Sequence, residues 1–373
     1  MHDGRLQFSI EARDGEARAA RVSLPRGSYE TPIFMPVGTY ATVKAITPEE
    51  LETLGAQVIL SNAYHLFLRP GHERVRRLGG LQRFMGWERL ILTDSGGYQL
   101  FSLRQQMTID EDGVRFRSPI DGSPRRLGPE RAMAVEAALG SDIAMAFDHC
   151  APSDASKDAI VAALERTTRW ARRCVGEPRP DHQARFGIVQ GALDLELRER
   201  HVAELTPLGF DGYALGGLSV GEAPPEMHRV VRAVAPRMPA DRPRYLMGVG
   251  RPEDLIVAIG AGIDMFDCVM PTRHARNGQL FTATGRIVIT NAEHRDADAP
   301  IDDDCSCAVC RRFSRAYLRH LYTAKEILYS RLATYHNLHA FISLVRRARE
   351  AIREGRYAAF AAAELAARGE GSR

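Results

Sequence analysis

Three aspartates close short apolar runs in this chain. Asp94 ends LILTD, Asp148 ends DIAMAFD and Asp267 ends IDMFD. Other runs end in Asn62, Gln190, Gly216–Gly217 and Met247. If these runs are strands of one sheet, three carboxylates, two amides, a diglycine and a thioether meet at one rim. Carboxylates crowded in a partly dry site cannot all ionise easily, so their pKa values split. One then serves as an anionic nucleophile while another moves a proton. Asp267 suits the first role, because Pro271, Thr272, Arg273 and Arg276 follow it and would face a phosphate-bearing substrate. In DSGGYQ, Ser95 follows Asp94, and Gly96–Gly97 lets backbone N–H groups approach a ligand closely. Tyr98 offers a flat face for a planar ligand and Met247 a soft opposite face. Asp148, Gln190 and the Gly217 backbone supply the donors and acceptors that a purine edge requires.

A second cluster reads as a metal site. Cys305, Cys307 and Cys310 form CxCxxC, three thiolates within about one turn, and His320, His336 and His339 lie downstream. Three thiolates and one imidazole fill a tetrahedron, so the expected ion is a structural zinc; spacing alone leaves the histidine open. The other cysteines, Cys150, Cys174 and Cys268, are isolated, which fits a reducing compartment better than a disulfide framework. Arg251 lies in GVGRPED. Arg286, Arg311, Arg312, Arg315, Arg319 and Lys325 follow the Asp267 loop and extend its basic lining. Aromatic residues among them are sparse, which argues against a single-strand stacking platform.

The elements that must position these residues follow a rhythm. Eight apolar runs begin at residues 33, 57, 90, 142, 186, 212, 244 and 263. Helical patterns such as TPEELETLG, PERAMAVEAALG and LELRERHVAEL lie between them. Near-continuous apolar strands alternating with helices imply a parallel sheet covered on both faces, and eight units imply a (β/α)8 TIM-type barrel. A doubly wound sheet is the alternative, but no GxGxxG follows the first run. Residues 1–32 alternate like a small antiparallel cap. The barrel is expected over 33–273, with a hairpin inserted at about 95–128. A zinc-binding insertion is expected over 274–336 and C-terminal helices completing the barrel over 337–373. With 45% hydrophobic and 26% charged residues among 373, the composition is that of a soluble globular protein. No run reaches the ~18 apolar residues of a membrane span, and the charged N-terminus is no signal peptide. The expectation is a cytoplasmic protein with no membrane partner. The net charge of +3 neither demands nor forbids nucleic acid.

The blocks TPIFMPVGT, NAYHLFLRPG, FMGWERLILTDSGGYQ, VRFRSPIDGS, ALGGLSVGE, YLMGVGRPED and MFDCVMPTR, together with CxCxxC…H, resemble the bacterial tRNA-guanine transglycosylase (queuine tRNA-ribosyltransferase) family over nearly the whole chain. The resemblance implies exchange of the guanine at the first anticodon position of GUN-anticodon tRNAs (Asp, Asn, His, Tyr) for 7-aminomethyl-7-deazaguanine, in queuosine biosynthesis. It implies that Asp267 attacks the ribose C1′ to give a covalent intermediate, with Asp94 as acid/base and Asn62 orienting it. Base contacts would come from Asp94, Ser95, Gly96, Gly97, Tyr98, Asp148, Gln190, Gly217, Leu218, Val220 and Met247. RNA contacts would come from Gly248, Val249, Gly250, Arg251, Pro252, Glu253, Asp254, Thr272, Arg273, His274, Ala275 and Arg276. By the same analogy His336 completes the zinc site, and the protein is a homodimer with the zinc region near the interface.

Val220 and Cys150 resemble the bacterial branch, whereas the eukaryotic type has a smaller residue at the Val220 position. His149 departs from the family, which carries Glu after the first acid of DEC. Either it sits on the far side of the strand, or it changes the charge of the base pocket. A non-catalytic accessory subunit of the same fold would lose a catalytic acid, and both Asp94 and Asp267 are present. A metal-dependent hydrolase would need ligands inside the barrel, and no paired-histidine motif lies on these strands.

Overall fold

The computed structural model describes residues 5–97, 107–152 and 154–370. Its centre is a closed barrel of eight parallel strands: β4 (Ile33–Gly38), β5 (Val58–Ser61), β6 (Leu90–Thr93), β10 (Ile143–Met145), β11 (Ala184–Val189), β12 (Gly212–Leu215), β13 (Arg244–Leu246) and β14 (Met265–Cys268). The last strand closes on the first, with Asp267 opposite Met35. All eight expected runs supply a barrel strand. Each is buried along its length, because the lumen is packed and helices cover the outside.

The period-2 rule then fixes what stands at the mouth. Leu60, Leu92, Ile188, Ala214, Tyr245 and Met265 fill the upper lumen. Two residues further on come Asn62, Asp94, Gln190, Gly216, Met247 and Asp267, on the same face. Asp148 breaks the count: β10 ends at Met145, and Phe147 already packs outside the barrel with Trp170.

Helices follow the strands in turn: α1 (Pro48–Thr53), α2 (Ala63–Leu68), α3 (His72–Arg77), α4 (Gly80–Met85), α5 (Pro129–Leu139), α6 (Lys157–Gly176), α7 (Leu195–Leu205), α8 (Pro224–Val234), α9 (Pro252–Gly260) and α10 (Met270–Arg276). Their starts carry local signals. Thr47 and Glu50 form a capping box on α1, and Ser156 and Asp194 cap α6 and α7.

The antiparallel sheet β1 (Gln7–Asp14), β2 (Ala17–Leu24) and β3 (Gly27–Thr31) closes the N-terminal end. Val22, Leu24 and Tyr29 of this sheet join the lumen cluster. The segment expected as a hairpin carries three strands, β7 (Met107–Asp110), β8 (Gly113–Arg117) and β9 (Pro124–Leu127), because Pro119–Ser123 turns the chain a second time. Beyond α10 lie the ribbon β15 (Gln279–Thr282) and β16 (Gly285–Val288), then α11 (Arg315–Thr323), α12 (Ile327–Arg353) and α13 (Tyr357–Glu370). The 27-residue α12 runs unbroken through residues 336–337. Among the described residues no helix is long and apolar enough to cross a membrane.

Candidate active site

A cavity of about 420 Å³ opens at the C-terminal mouth of the barrel. It brings together Asp94, Asp148, Asp267, Asn62, Gln190 and Met247, and also Ser95, Gly217, Leu218, Val220 and Gly248. The carboxylates are held differently. Asp94 accepts from Asn62 Nδ2 through Oδ2 at 2.5 Å and from the Ala63 N–H through Oδ1 at 3.0 Å. The second donor sits at the start of α2, where backbone N–H groups are free for an anion. Asp148 accepts from Ser95 Oγ and from Gln190 Nε2, each at 2.7 Å. Burial raises its pKa, against the opposing pull of those two donors.

Asp267 is bonded on one oxygen. Its Oδ1 accepts from Tyr245 Oη at 2.5 Å and from the Gly248 N–H at 2.7 Å. Its Oδ2 has no hydrogen-bond donor among the described residues, and no cation pairs with it. Burial raises its pKa, while the Tyr245 and Gly248 bonds pull it down. A carboxylate with one tethered and one free oxygen, facing a cavity, has the geometry of an oriented nucleophile. Tyr245 escaped the sequence reading, although it stands two residues before Met247 and so shares its face. Glu222 escaped too. Its carboxylate accepts the N–H groups of Ser219 and, at 3.0 Å, Val220, holding the loop that ends in GLSVGE.

Other expected residues are placed less directly. Gly97 packs behind Asp148: a Cβ there would stand 2.5 Å from Asp148 Oδ1. Gly96 is buried against Tyr64. Tyr98 lies outside the described residues. Burial pushes the Cys150 thiol up to about 12, so it lines the cavity as a neutral group. His149 does not enter the cavity. Its Nδ1 lies 3.1 Å from Arg166 Nη1, its ring faces Trp170, and burial with Arg166 pulls its pKa down to about 4. Its side chain points away from the cavity, toward α6.

Of the residues expected on RNA, Gly248 and Arg273 are exposed, and Arg251, Glu253, His274 and Arg276 are half-buried. Val249, Pro252, Asp254, Thr272 and Ala275 are buried, so their side chains face the protein interior rather than an incoming RNA, and the Gly250 backbone is buried as well. Asp254 pairs with Arg251 at 2.8 Å and His228 at 2.8 Å, and Thr272 Oγ1 bonds the Val269 carbonyl.

Away from the mouth, Cys305, Cys307, Cys310 and His336 place their donor atoms within 4.8 Å of one another. This set could hold a metal ion. His336 Nε2 meets the Phe281 carbonyl at 2.7 Å, which leaves Nδ1 to face the three sulfurs. That is the arrangement of a ligand, and it selects His336 from the three candidates. His339 approaches only Cys305, at 3.6 Å. Beside His336, Asn337 bonds the Pro271 and Gln279 carbonyls at 3.0 Å and the Phe281 N–H at 3.0 Å. The cluster is thereby tied to α10, which follows Asp267.

The queuine tRNA-ribosyltransferase family pattern matches residues 14–370. Curated proteins named queuine tRNA-ribosyltransferase are close relatives. One from Solidesulfovibrio magneticus is 54% identical over 357 residues, covering 95% of this chain and 96% of its own. One from Thioalkalivibrio sulfidiphilus is 54% identical, covering 96% of each. One from Bacillus pumilus is 52% identical, covering 95% of this chain and 94% of its own. With its eight-stranded barrel, its carboxylate-lined mouth and this match along nearly its full length, the chain belongs to the queuine tRNA-ribosyltransferase family of enzymes.

Proposed function

We propose that this enzyme replaces the guanine at the first anticodon position of GUN-anticodon tRNAs with 7-aminomethyl-7-deazaguanine, a step of queuosine synthesis. The observation that carries the reading is the pairing at one mouth of Asp267, with Oδ2 free, and Asp94, tethered on both oxygens. Asp267 Oδ2 attacks the ribose C1′, the C1′–N9 bond breaks, and guanine leaves with its bonding pair. The ribose is then esterified to Asp267. Asp94 moves the proton that the departing base gains and the incoming base loses. The incoming base attacks C1′ and releases the carboxylate. Splitting one substitution into two replaces a weak external nucleophile by a bound one. The substrate nucleotide lies in a loop, so it unstacks at low cost.

Asp148, Gln190 and the Gly217 N–H read the base edge in this reading, Tyr98 and Met247 sandwich it, and Leu218 and Val220 shape the far wall. Arg251, Arg273, His274 and Arg276 contact the phosphates. The Cys3His donor set suits Zn2+, which would staple residues 274–336 to the barrel and supply no chemistry at the mouth. In the same reading the chain divides into cap (1–32), barrel (33–273), zinc-binding insertion (274–336) and C-terminal helices (337–373), with α12 crossing the last boundary. The enzyme acts in the cytoplasm as a homodimer.

The test is incubation with radiolabelled guanine and unmodified tRNA of guanine wobble base. Incorporation is expected, with chase by 7-aminomethyl-7-deazaguanine but not by queuine. Absence of incorporation would refute the exchange, and chase by queuine alone would refute the assigned base.

A further inference from the structure

Arg198, on α7, is wholly buried, and its guanidinium meets no carboxylate among the described residues. Buried cations are normally paired, because an uncompensated charge away from water is costly. Here the Glu222 carboxylate favours the charge without an ion pair, and the direct contacts are backbone carbonyls. Nε bonds Ala192 O at 2.9 Å, Nη1 bonds Val189 O at 2.9 Å, and Nη2 reaches Gly217 O at 3.4 Å. These carbonyls belong to the two segments that carry Gln190 and Gly217. Val189 is the last residue of β11, and the other two carbonyls lie beyond the ends of β11 and of β12 at Leu215.

The surrounding backbone is unusual in a way that needs such support. Ala192 has φ +48° and Gly217 φ +63°. An L residue such as Ala192 in this region is strained, and persists where its surroundings over-determine it. Gly191 packs so closely on α7 that a Cβ would lie 3.0 Å from the Arg198 nitrogen. A Cβ on Gly217 would lie 2.5 Å from Gln190 Oε1, so the two segments are in direct contact. One turn further along α7, the buried His201 accepts the Gln190 N–H on Nδ1 at 2.7 Å. Burial holds its pKa down at about 4, so the lone pair is available at neutral pH. The helix thus grips the backbone on both sides of the Gln190 side chain, while the Gly217 N–H has no acceptor among the described residues.

We propose that Arg198 is a positioning residue for the base. It locks the turn after β11 and the Gly217 peptide into one frame, so that the Gln190 amide and the Gly217 N–H converge on a single carbonyl oxygen of a purine-like base. An apolar side chain of similar length would fill the space, but would take the donor from the Ala192 and Gly217 carbonyls, leave Val189 O with the Gly216 N–H at 3.1 Å alone, and free the two base donors to drift apart. This inference rests on the base-exchange reading above.

The test varies guanine and tRNA separately in the exchange assay, with Arg198→Met, Arg198→Lys and the α7 core variant Leu205→Ala as a stability control. Melting temperature is recorded for each. Arg198→Met is expected to raise the KM for guanine at least about tenfold, with the KM for tRNA changed by less than about twofold. Arg198→Lys is expected to fall between, since an ammonium lacks the planar fork that spans three carbonyls. Leu205→Ala is expected to lower the melting temperature without moving the KM for guanine. An unchanged KM for guanine in folded Arg198→Met would overturn the proposal. So would an equal rise in Leu205→Ala, or failure of both Arg198 variants to fold while Leu205→Ala folds. Wild-type protein without exchange would instead overturn the base-exchange reading, and is scored first.

Discussion

Asp264, just before β14, and Asp267, within it, lie three residues apart and are both buried, yet they are opposite kinds of carboxylate. Asp264 is wholly inaccessible at the capped end of the barrel. Arg18 of β2 grips it with Nε at 3.0 Å and with Nη2, and the Arg244 N–H adds a bond at 2.6 Å. Asp267, at the mouth, is 9% exposed, and among the described residues it has no cation and keeps one oxygen free. Burial raises the pKa of both. Depth in the protein therefore does not separate a structural acid from a reactive one. The partner set does: a saturated carboxylate holds two elements together, and a half-saturated one can form a bond.

The comparison breaks most visibly at Arg18. Arg18→Met leaves Asp264 buried and unpaired, and should cost about 3–5 kcal/mol of stability, with exchange activity per folded molecule retained. Denaturant unfolding beside the assay measures both. The pH dependence follows from sign. Asp264 already has a raised pKa, and Arg18 opposes the rise. In the variant the folded state therefore binds the proton more tightly still. The stability deficit should be smallest at acid pH, within the ordinary carboxylate range, and grow as pH rises through the folded pKa. A deficit independent of pH, or lost activity without lost stability, would mean that Asp264 is not the structural partner described.

Tyr245→Phe sharpens the other side. It removes one of two bonds on Asp267 Oδ1 and should lower kcat about tenfold, as the loss of one charge-assisted bond. Because Tyr245 pulls the Asp267 pKa down, the acid limb of the pH–rate profile should move to higher pH in the variant. A limb that stays put would separate Tyr245 from the nucleophile. The smallest effect is expected at His149. It points away from the cavity toward Arg166, so His149→Glu should change the KM for 7-aminomethyl-7-deazaguanine by less than about twofold. A tenfold gain would put its charge back in the base pocket.

Much of this was legible in the residues. Eight apolar runs gave eight strands, because a parallel strand buried on both faces must be apolar along its length. Asn62, Asp94, Gln190, Gly216, Met247 and Asp267 were legible because each stands two positions past the last lumen side chain, whereas Asp148 does not keep that count. CxCxxC announced a metal set through its spacing. What stayed hidden depends on partners distant in sequence. Nothing near IDMFD tells that Arg18 will reach Asp264 and leave Asp267 to Tyr245 and Gly248. The choice among three histidines waited for the Phe281 carbonyl behind His336. Arg198 read as one more cation on an amphipathic helix. The turns of residues 107–127 were legible at Asp112–Gly113 and Asp121–Gly122, and what stayed hidden was that the second adds a third strand to the hairpin. Among the basic residues, charge alone could not distinguish exposed Arg273 from Asp254-bound Arg251.

The most direct measurement is to capture the covalent species. The protein is mixed with an unmodified guanine-wobble tRNA stem-loop, without incoming base, then denatured and digested, and the adduct is located by mass spectrometry. An adduct on the peptide containing Asp267, absent in Asp267→Asn and discharged by 7-aminomethyl-7-deazaguanine, is the expected result. An adduct on Asp94, or exchange that proceeds in Asp267→Asn, would contradict the assignment of Asp267 Oδ2 as the attacking atom.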